Sequence, residues 1–374
     1  MSFFKSLNGF NKYLKLKHSD KNKKIIYFYS ESKNYRNHFE DIISILSRKN
    51  KYHLIYLTSD IGDTEYFNSE IKPIFIGDGI IRILLFTILS GDMIIMTLSD
   101  LGNHELKKSK NCKYYTYLFH SLCSTFKSYN KKAFNNYDII FANGSHQINE
   151  IKESEKIYNL TEKKVFNIGY PYLENLKRKI NLNVKKDLIL FAPSWLNNKE
   201  DLLEKKGFMI INELLKQNNK VCLRPHPQSL TKSKKTIKNI TKQFRQNVNF
   251  TINTDITSLN AFDRSKVLLT DNGGVCMEYY TLYKRPFVCI NHTEKVHNPD
   301  YKEIGEQSIE EKFKNNFGKN INISTISNLN NEINEYINEF SFEREKLDKF
   351  FNSYSIAFKN SSVMACDKIE KILS

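Results

Sequence analysis

Two short motifs carry residue types suited to holding a phosphate. Arg224-Pro225-His226-Pro227 follows a strand-like run at residues 220–223. Its prolines keep the chain extended and prevent a helix from forming there, so Arg224 and His226 are presented at a strand end. A guanidinium and an imidazole in that position suit a diphosphate, with His226 stabilising negative charge on a leaving group. Asp271-Asn272-Gly273-Gly274 joins a short apolar run, residues 267–269, to a helix expected from about Val275. Such a turn offers backbone N–H groups and a positive dipole end to an anion, and the two glycines permit close approach. Glu278 lies one helical turn beyond Gly274, where its carboxylate can accept from ribose hydroxyls. Together these features read as half of a nucleotide site. The alternatives are that Asp271 to Gly274 is only a tight turn and that Arg224 forms a structural ion pair beneath the sheet.

Other candidates also stand at strand ends. Residues 186–193 read as a strand ending in Ala-Pro, which places Ser194 and Trp195 to contact phosphate or pack against donor or acceptor. Trp195 is the single tryptophan and equally suits a packing role. Asp271 is suited to orienting His226, capping the helix or binding the donor. In the first half, Phe119-His120-Ser121 ends another strand, and imidazole, whose unperturbed pKa lies near neutral pH, suits a general base. A structural histidine is the competing reading. His146, His292 and His297 fall in expected loops without metal-ligand spacing, and there is no Asp-x-Asp pair or Walker loop. A metal-independent site is therefore expected. Gly77-Asp78-Gly79 has Arg82 where a dinucleotide fingerprint would place its third glycine, so that match is weak.

These candidates must be positioned by strands that alternate with helices. Expected strands cover residues 24–30, 53–58, 72–76, 93–97, 114–119 and 138–142, and a second series covers 186–193, 220–223, 250–253, 267–269 and 287–290. That pattern predicts doubly wound parallel α/β sheets. The expected organisation is a basic amphipathic segment (1–23), a Rossmann-like domain (24–178), a second one (179–340) and a helical C-terminal segment (341–374). The boundary falls in the Lys/Asn-rich run 172–184, and a helical C-terminus is expected over 341–373.

The 374 residues, 40% of them hydrophobic, suffice for two domains. Lys and Arg number 57 against 41 Asp and Glu, and the net charge of +16 favours anionic partners, although part of the lysine excess accompanies a general Lys/Asn/Ile bias. No nucleic-acid module or regular basic-aromatic stripe is present, so a basic nucleic-acid-binding protein is the less favoured class. The six cysteines form no Cys-x-x-Cys pair and read as buried free thiols of a reducing cytoplasm. No signal peptide is visible. The most apolar stretch, residues 79–98, is interrupted by Arg82, Gly91 and Asp92, so no membrane span is expected. At the N-terminus, Phe3, Phe4, Leu7, Phe10, Tyr13, Leu14 and Leu16 interleave with Lys5, Lys12, Lys15 and Lys17. This is the pattern of a helix lying on an anionic membrane surface, or of one packed on its own domain.

The sequence Leu223-Arg-Pro-His-Pro, followed by Leu268-Leu-Thr-Asp-Asn-Gly-Gly and Lys284-Arg-Pro-Phe-Val, resembles the CDP-glycerol glycerophosphotransferase family, which includes teichoic-acid primases and polymerases. Leu190-Phe-Ala-Pro-Ser-Trp195 and Ile168-Gly-Tyr-Pro171 are further matches, and the likeness runs over residues 114–291. The resemblance implies the GT-B architecture, two Rossmann-like domains with a cleft between them and the nucleotide donor on the C-terminal half. It also implies that the last helix crosses back to the first domain. His120 matches the histidine of the family's Trp-His-Gly motif, the proposed catalytic base, with Phe119 and Ser121 replacing its neighbours. Gly273-Gly274 stands where members usually have Ser-Ser or Ser-Gly, and Asn272 where they have an aromatic residue, which removes hydroxyl donors to phosphate. The implied activity is transfer from a nucleotide-activated donor, CDP-linked and bound as substrate without a cofactor, to a glycan or lipid-linked acceptor at the inner membrane face. A GT-B glycosyltransferase using a nucleotide sugar for capsule or lipopolysaccharide is the nearest alternative. A nucleotide-sugar epimerase shares the architecture but needs acid/base carboxylates that the sequence does not identify.

Overall fold

The run Lys-Ile-Ile-Tyr-Phe-Tyr-Ser offers apolar side chains to both faces, and as β1 (Lys24–Ser30) it is buried from Ile26 onward inside a parallel sheet. The structure, a computed structural model, describes residues 2–16, 23–64, 71–196, 200–255, 257–271, 273–293 and 296–374. The chain divides into two units. The first comprises Met1–Arg178, His297–Gly305 and Phe350–Ser374, and the second Lys179–Val296 and Glu306–Lys349.

In the first unit β1 is joined by β2 (Tyr52–Thr58), β3 (Ile74–Phe75), β4 (Gly91–Met96), β5 (Cys112–Leu118), β6 (Ile139–Ala142) and β7 (Lys164–Asn167). Their order is β3-β2-β1-β4-β5-β6-β7, with every pairing parallel. Alternate side chains serve opposite faces. Ile26 and Phe28 pack with Phe39, Ile42 and Leu46 of the helix Arg36–Arg48 and with Ala365, Cys366 and Ile369 of the last helix, Ser361–Leu373. Tyr27 and Tyr29 pack on the other face with Leu85 and Phe86 of the helix Ile80–Ile88 and with Tyr13. The expected strand at 72–76 shrinks to β3. The edge strand β7 was not expected, because Lys-Val-Phe-Asn has no apolar run and none of its residues is fully buried.

The first helix, Ser2–Leu16, lies against β3 with Ser6, Gly9 and Tyr13 buried. A Cβ on Gly9 would stand 1.8 Å from the Phe75 carbonyl oxygen, so only glycine permits this approach. Phe3 (54% exposed), Phe4 (75%), Leu7 and Leu14 point to solvent, flanked by exposed Lys5, Lys12 and Lys15. Lys17 lies outside the described residues. The helical C-terminus comprises two helices, Arg344–Ser353 and Ser361–Leu373. Between them the backbone serves neighbouring loops: Tyr354 O accepts from Ser145 N–H at 2.7 Å and Ala357 O from Tyr170 N–H at 2.9 Å. Those longer-range bonds replace helical ones, and Ser355 and Asn360 take φ of 51° and 60°.

The second unit contains β8 (Leu188–Phe191), β9 (Lys220–Leu223), β10 (Phe250–Ile252), β11 (Ser265–Thr270), β12 (Phe287–Asn291) and β13 (Lys319–Asn322). They lie parallel in the order β10-β9-β8-β11-β12-β13. Ile189, Phe191, Val221, Leu223, Val267 and Leu269 pack with the helices Leu202–Leu215 and Leu329–Glu339. β13 was not expected either: Ile321 is its one buried residue. All six cysteines are buried, and none forms a disulfide. Among the described residues no helix is long and apolar enough to cross a membrane.

Candidate active site

In the second sheet β8 and β11 are neighbours, while the chain leaves them toward opposite edges. The loops beyond their carboxyl ends part there, which is where open α/β sheets bind ligands. β8 leads into Ala192-Pro193-Ser194-Trp195 and β11 into Asp271 to Gly274. Asp271 is 3% exposed and accepts the backbone N–H of Ser194 at 2.8 Å. The Thr270 hydroxyl donates to Ala192 O at 2.7 Å, and a Cβ on Gly273 would lie 3.7 Å from the Ser194 Cβ. Ser194, Asp271 and Gly273 are thereby drawn together, with half-buried Trp195 next in the chain. Asn272 lies outside the described residues.

Gly274 caps the helix Val275–Tyr283 and brings no side chain to its first turn. Gly274 makes no side-chain cap bond, the Met277 N–H donates to Gly274 O at 3.1 Å, and the positive end of the helix dipole stands at this turn. Glu278 sits half-buried in that first turn.

From β9 the chain enters the Arg-Pro-His-Pro motif. His226 caps the short helix Pro227–Lys232, and its Nδ1 accepts the Gln228 N–H at 3.2 Å. A neutral imidazole that accepts at Nδ1 carries its proton on Nε2, so the ring offers a donor to an oxyanion. Arg224, 9% exposed, turns into its own unit: its NH1 donates to Asp255 O and Ser258 O, both at 3.1 Å, and the guanidinium lies 4.8 Å from the Phe262 ring centre. It braces Asp255 against Ser258.

In the first unit His120 follows β5, half-buried at the carboxyl edge of the sheet. Side chains hold each carbonyl of the loop it begins. Tyr170 OH donates to His120 O at 3.2 Å, Asn143 and Gln147 to Ser121 O at 2.9 Å, His146 Nε2 to Leu122 O at 2.9 Å and Gln147 to Cys123 O at 3.1 Å. The imidazole meets Tyr117 OH at Nδ1 (3.3 Å) and the edge of Tyr35, with 5.1 Å between ring centres. His38 stands 6.2 Å away, buried and stacked on Tyr172 at 4.3 Å. Burial, then the charge of His120, holds the His38 pKa well below its usual value, so His38 stays neutral.

Glu31, the first residue after β1, lies where this sheet reverses its winding between β1 and β4. Burial pushes its carboxyl pKa up to about 7 against the opposing charge of Arg82, and Arg82 NH1 donates to Tyr29 OH at 3.2 Å. Sequence reasoning missed Glu31, Tyr35, His38, Tyr117, Asn143 and Gln147. For Glu31, Tyr117 and Asn143 the available signal was position, at or directly after strand ends; Tyr35, His38 and Gln147 lie in the helical segments that follow, and no motif distinguished any of them from core.

His146 corrects an expectation: it lies in the helix Ser145–Ile157, not in a loop. Its Nε2–H fixes Leu122 O, and burial, opposed by that bond, moves its pKa down to about 4. His292 and His297 do lie in loops; His292 Nε2 is 2.8 Å from Glu200 O, and the His297 N–H donates to Lys127 O at 2.8 Å. Among the described residues no group of three or more His, Cys, Asp or Glu side chains is arranged to hold a metal ion.

No curated protein matches this chain in sequence. Among solved structures it is similar to the wall teichoic acid polymerase TagF, with 16% identity over 99% of this chain and 97% of that one and a TM-score of 0.58. It is also similar to the S. aureus MnaA–UDP co-structure (12% identity, 94% and 97% covered, TM-score 0.60). UDP-GlcNAc 2-epimerase from Neisseria meningitidis bound to UDP-GlcNAc is a third (13% identity, 93% and 100% covered, TM-score 0.60). At such identities the likeness shows the fold, two doubly wound Rossmann-like units of the GT-B type. The family model described as CDP-Glycerol:Poly(glycerophosphate) glycerophosphotransferase matches residues 11–355, nearly the whole chain. The chain therefore belongs to the CDP-glycerol:poly(glycerophosphate) glycerophosphotransferase family and is a transferase.

Proposed function

We propose that the protein transfers an alditol phosphate from a CDP-linked donor to a hydroxyl of a cell-wall polymer of the teichoic-acid type, or of its lipid-linked primer. The donor diphosphate lies against the loops after β8, β9 and β11. His226 donates its Nε2–H to a phosphate oxygen, and Ser194 and the first-turn N–H groups behind Gly273 and Gly274 take others. Glu278 accepts ribose hydroxyls, Trp195 packs on the donor, and Asp271 holds Ser194 in place. Arg224 acts through the residues it braces and through its charge. Asn272 remains a donor-site candidate on sequence alone. His120 takes the proton of the acceptor hydroxyl as its oxygen attacks the distal phosphorus; the bond from that phosphorus to the bridging oxygen breaks, and CMP leaves with the electron pair. The donor is a substrate, and no resident cofactor enters this scheme.

The observation that supports this reading most strongly is the junction of Ser194, Asp271 and Gly273 at the reversal point of the second sheet, beside the start of the helix Val275–Tyr283. One feature favours a second reading. Gly273-Gly274 lacks the hydroxyls that the family usually places there, so a nucleotide sugar attacked at its anomeric carbon fits the same parts. Thermal-shift measurements against CDP-glycerol, CDP-ribitol and the common UDP- and GDP-sugars separate the two, with His226→Ala and Glu278→Ala alongside. Stabilisation by a CDP-alditol that both variants lose is the expected result. A response to sugar nucleotides alone moves the assignment to glycosyl transfer, and no response to any nucleotide overturns the donor site.

We further propose peripheral attachment to an anionic membrane surface. The solvent-facing arc Phe3, Phe4, Leu7 and Leu14 beside Lys5, Lys12 and Lys15 supports this, since such a helix gains both apolar burial and charge attraction there. The protein should sediment with vesicles containing phosphatidylglycerol and not with neutral ones, and Phe4→Ser with Leu7→Ser should release it. Equal sedimentation of wild type and variant rules this surface out.

A further inference from the structure

We propose that Tyr117 is a positioning residue that sets the tautomer of His120, holding the proton on Nδ1 so that Nε2 is the basic nitrogen. This rests on the reading of His120 as the base.

Tyr117 is fully buried at the end of β5, and its ring is fixed by Phe119, Phe134 and Tyr137 at centre distances of 4.9, 4.8 and 5.3 Å. Burial drives its phenol pKa far above the usual value, so the group keeps its proton: one donor and two lone pairs. That proton is directed at the Tyr129 oxygen, 3.4 Å away. What Tyr117 presents to His120 Nδ1, at 3.3 Å, is therefore a lone pair. Nδ1 must then donate, and the lone pair of the neutral ring resides on Nε2. With the phenol proton reversed, Nδ1 would accept, Nε2 would carry hydrogen, and the ring could not take a proton there. When Nε2 accepts the proton of the acceptor hydroxyl, the imidazolium keeps its Nδ1–H bond to Tyr117, and the pair needs no rearrangement. The neighbouring ionisable rings are those of Tyr35, His38 and Tyr129, with His38 held neutral. His226 is fixed the opposite way, because the Gln228 N–H occupies its Nδ1. One imidazole is thus prepared to accept and the other to donate.

The test compares wild type with Tyr117→Phe, which keeps the packed ring and removes only the hydroxyl. Nitrogen-15 spectra of histidine-labelled protein, with His120 assigned through His120→Asn, report the tautomer without donor or acceptor present. The expected result is an Nδ1–H tautomer in wild type that shifts toward Nε2–H in Tyr117→Phe. CMP release from CDP-glycerol should fall about tenfold in kcat with KM within about twofold. A wild-type His120 already in the Nε2–H form, or an unchanged tautomer in Tyr117→Phe, overturns the proposal. Full turnover in His120→Ala overturns the base itself, and the spectra distinguish that failure because they require no reaction.

Discussion

Asp271 and Ser194, 77 residues apart in the chain, are joined by one hydrogen bond of 2.8 Å from the Ser194 N–H to the Asp271 carboxylate. It locks the loop after β8 to the loop after β11. Removing a buried acceptor leaves the N–H unsatisfied, so Asp271→Ala should cost about 1–3 kcal/mol in urea unfolding, and Asp271→Asn, which keeps an acceptor oxygen, less. Equal losses in both would mean that the charge, not this bond, is what matters.

Gly273 and Gly169 should respond oppositely to a side chain. A Cβ at Gly273 makes only ordinary contact with Ser194, whereas at Gly169 φ is +71° and a Cβ would fall 2.6 Å from Ala357 O. Gly273→Ser should fold as wild type does and, by restoring a hydroxyl near the donor phosphates, bind a CDP-alditol more tightly. Gly169→Ala should lower the melting temperature by several degrees. A Gly273→Ser protein that melts as early as Gly169→Ala contradicts the space seen at that turn.

Arg224 bridges two carbonyls with one nitrogen, a task that lysine's single ammonium performs with poorer geometry. Arg224→Lys should destabilise the protein by about 1–2 kcal/mol and increase hydrogen exchange at the Ser258 N–H, which donates to Asp255 O. If exchange there is unchanged while donor affinity falls, Arg224 acts on the donor directly.

Glu31 ties stability to pH. Its folded pKa, about 7, lies above the ordinary 4.5, so the folded chain binds the proton more tightly than the unfolded one. The stability this confers is complete below 4.5 and is lost as pH rises through about 7. Glu31→Gln should therefore melt higher than wild type at pH 8 and differ little from it at pH 5. Parallel pH dependence in the two proteins would show that Glu31 titrates normally.

Much of the fold is legible because parallel strands buried on both faces are continuous apolar runs. β1, β9 and β11 can be read from Ile-Ile-Tyr-Phe, Val-Cys-Leu and Val-Leu-Leu. The edge strands β7 and β13 escape for the same reason: one face of an edge strand stays wet, and four residues leave no pattern. The break between the two C-terminal helices carries no proline, since it arises from bonds to Ser145 and Tyr170 far away in the chain.

For the candidate site, local sequence is enough to say which residues stand at strand ends, because turn formers and apolar runs act over a few neighbouring residues. His120, Ser194, His226 and Asp271 can be picked out on that basis. Tertiary structure alone decided what their atoms meet. That Arg224 braces carbonyls and that Asp271 holds Ser194 depend on strand order and register. Those are set by packing between residues distant in the chain, where local pattern carries no information.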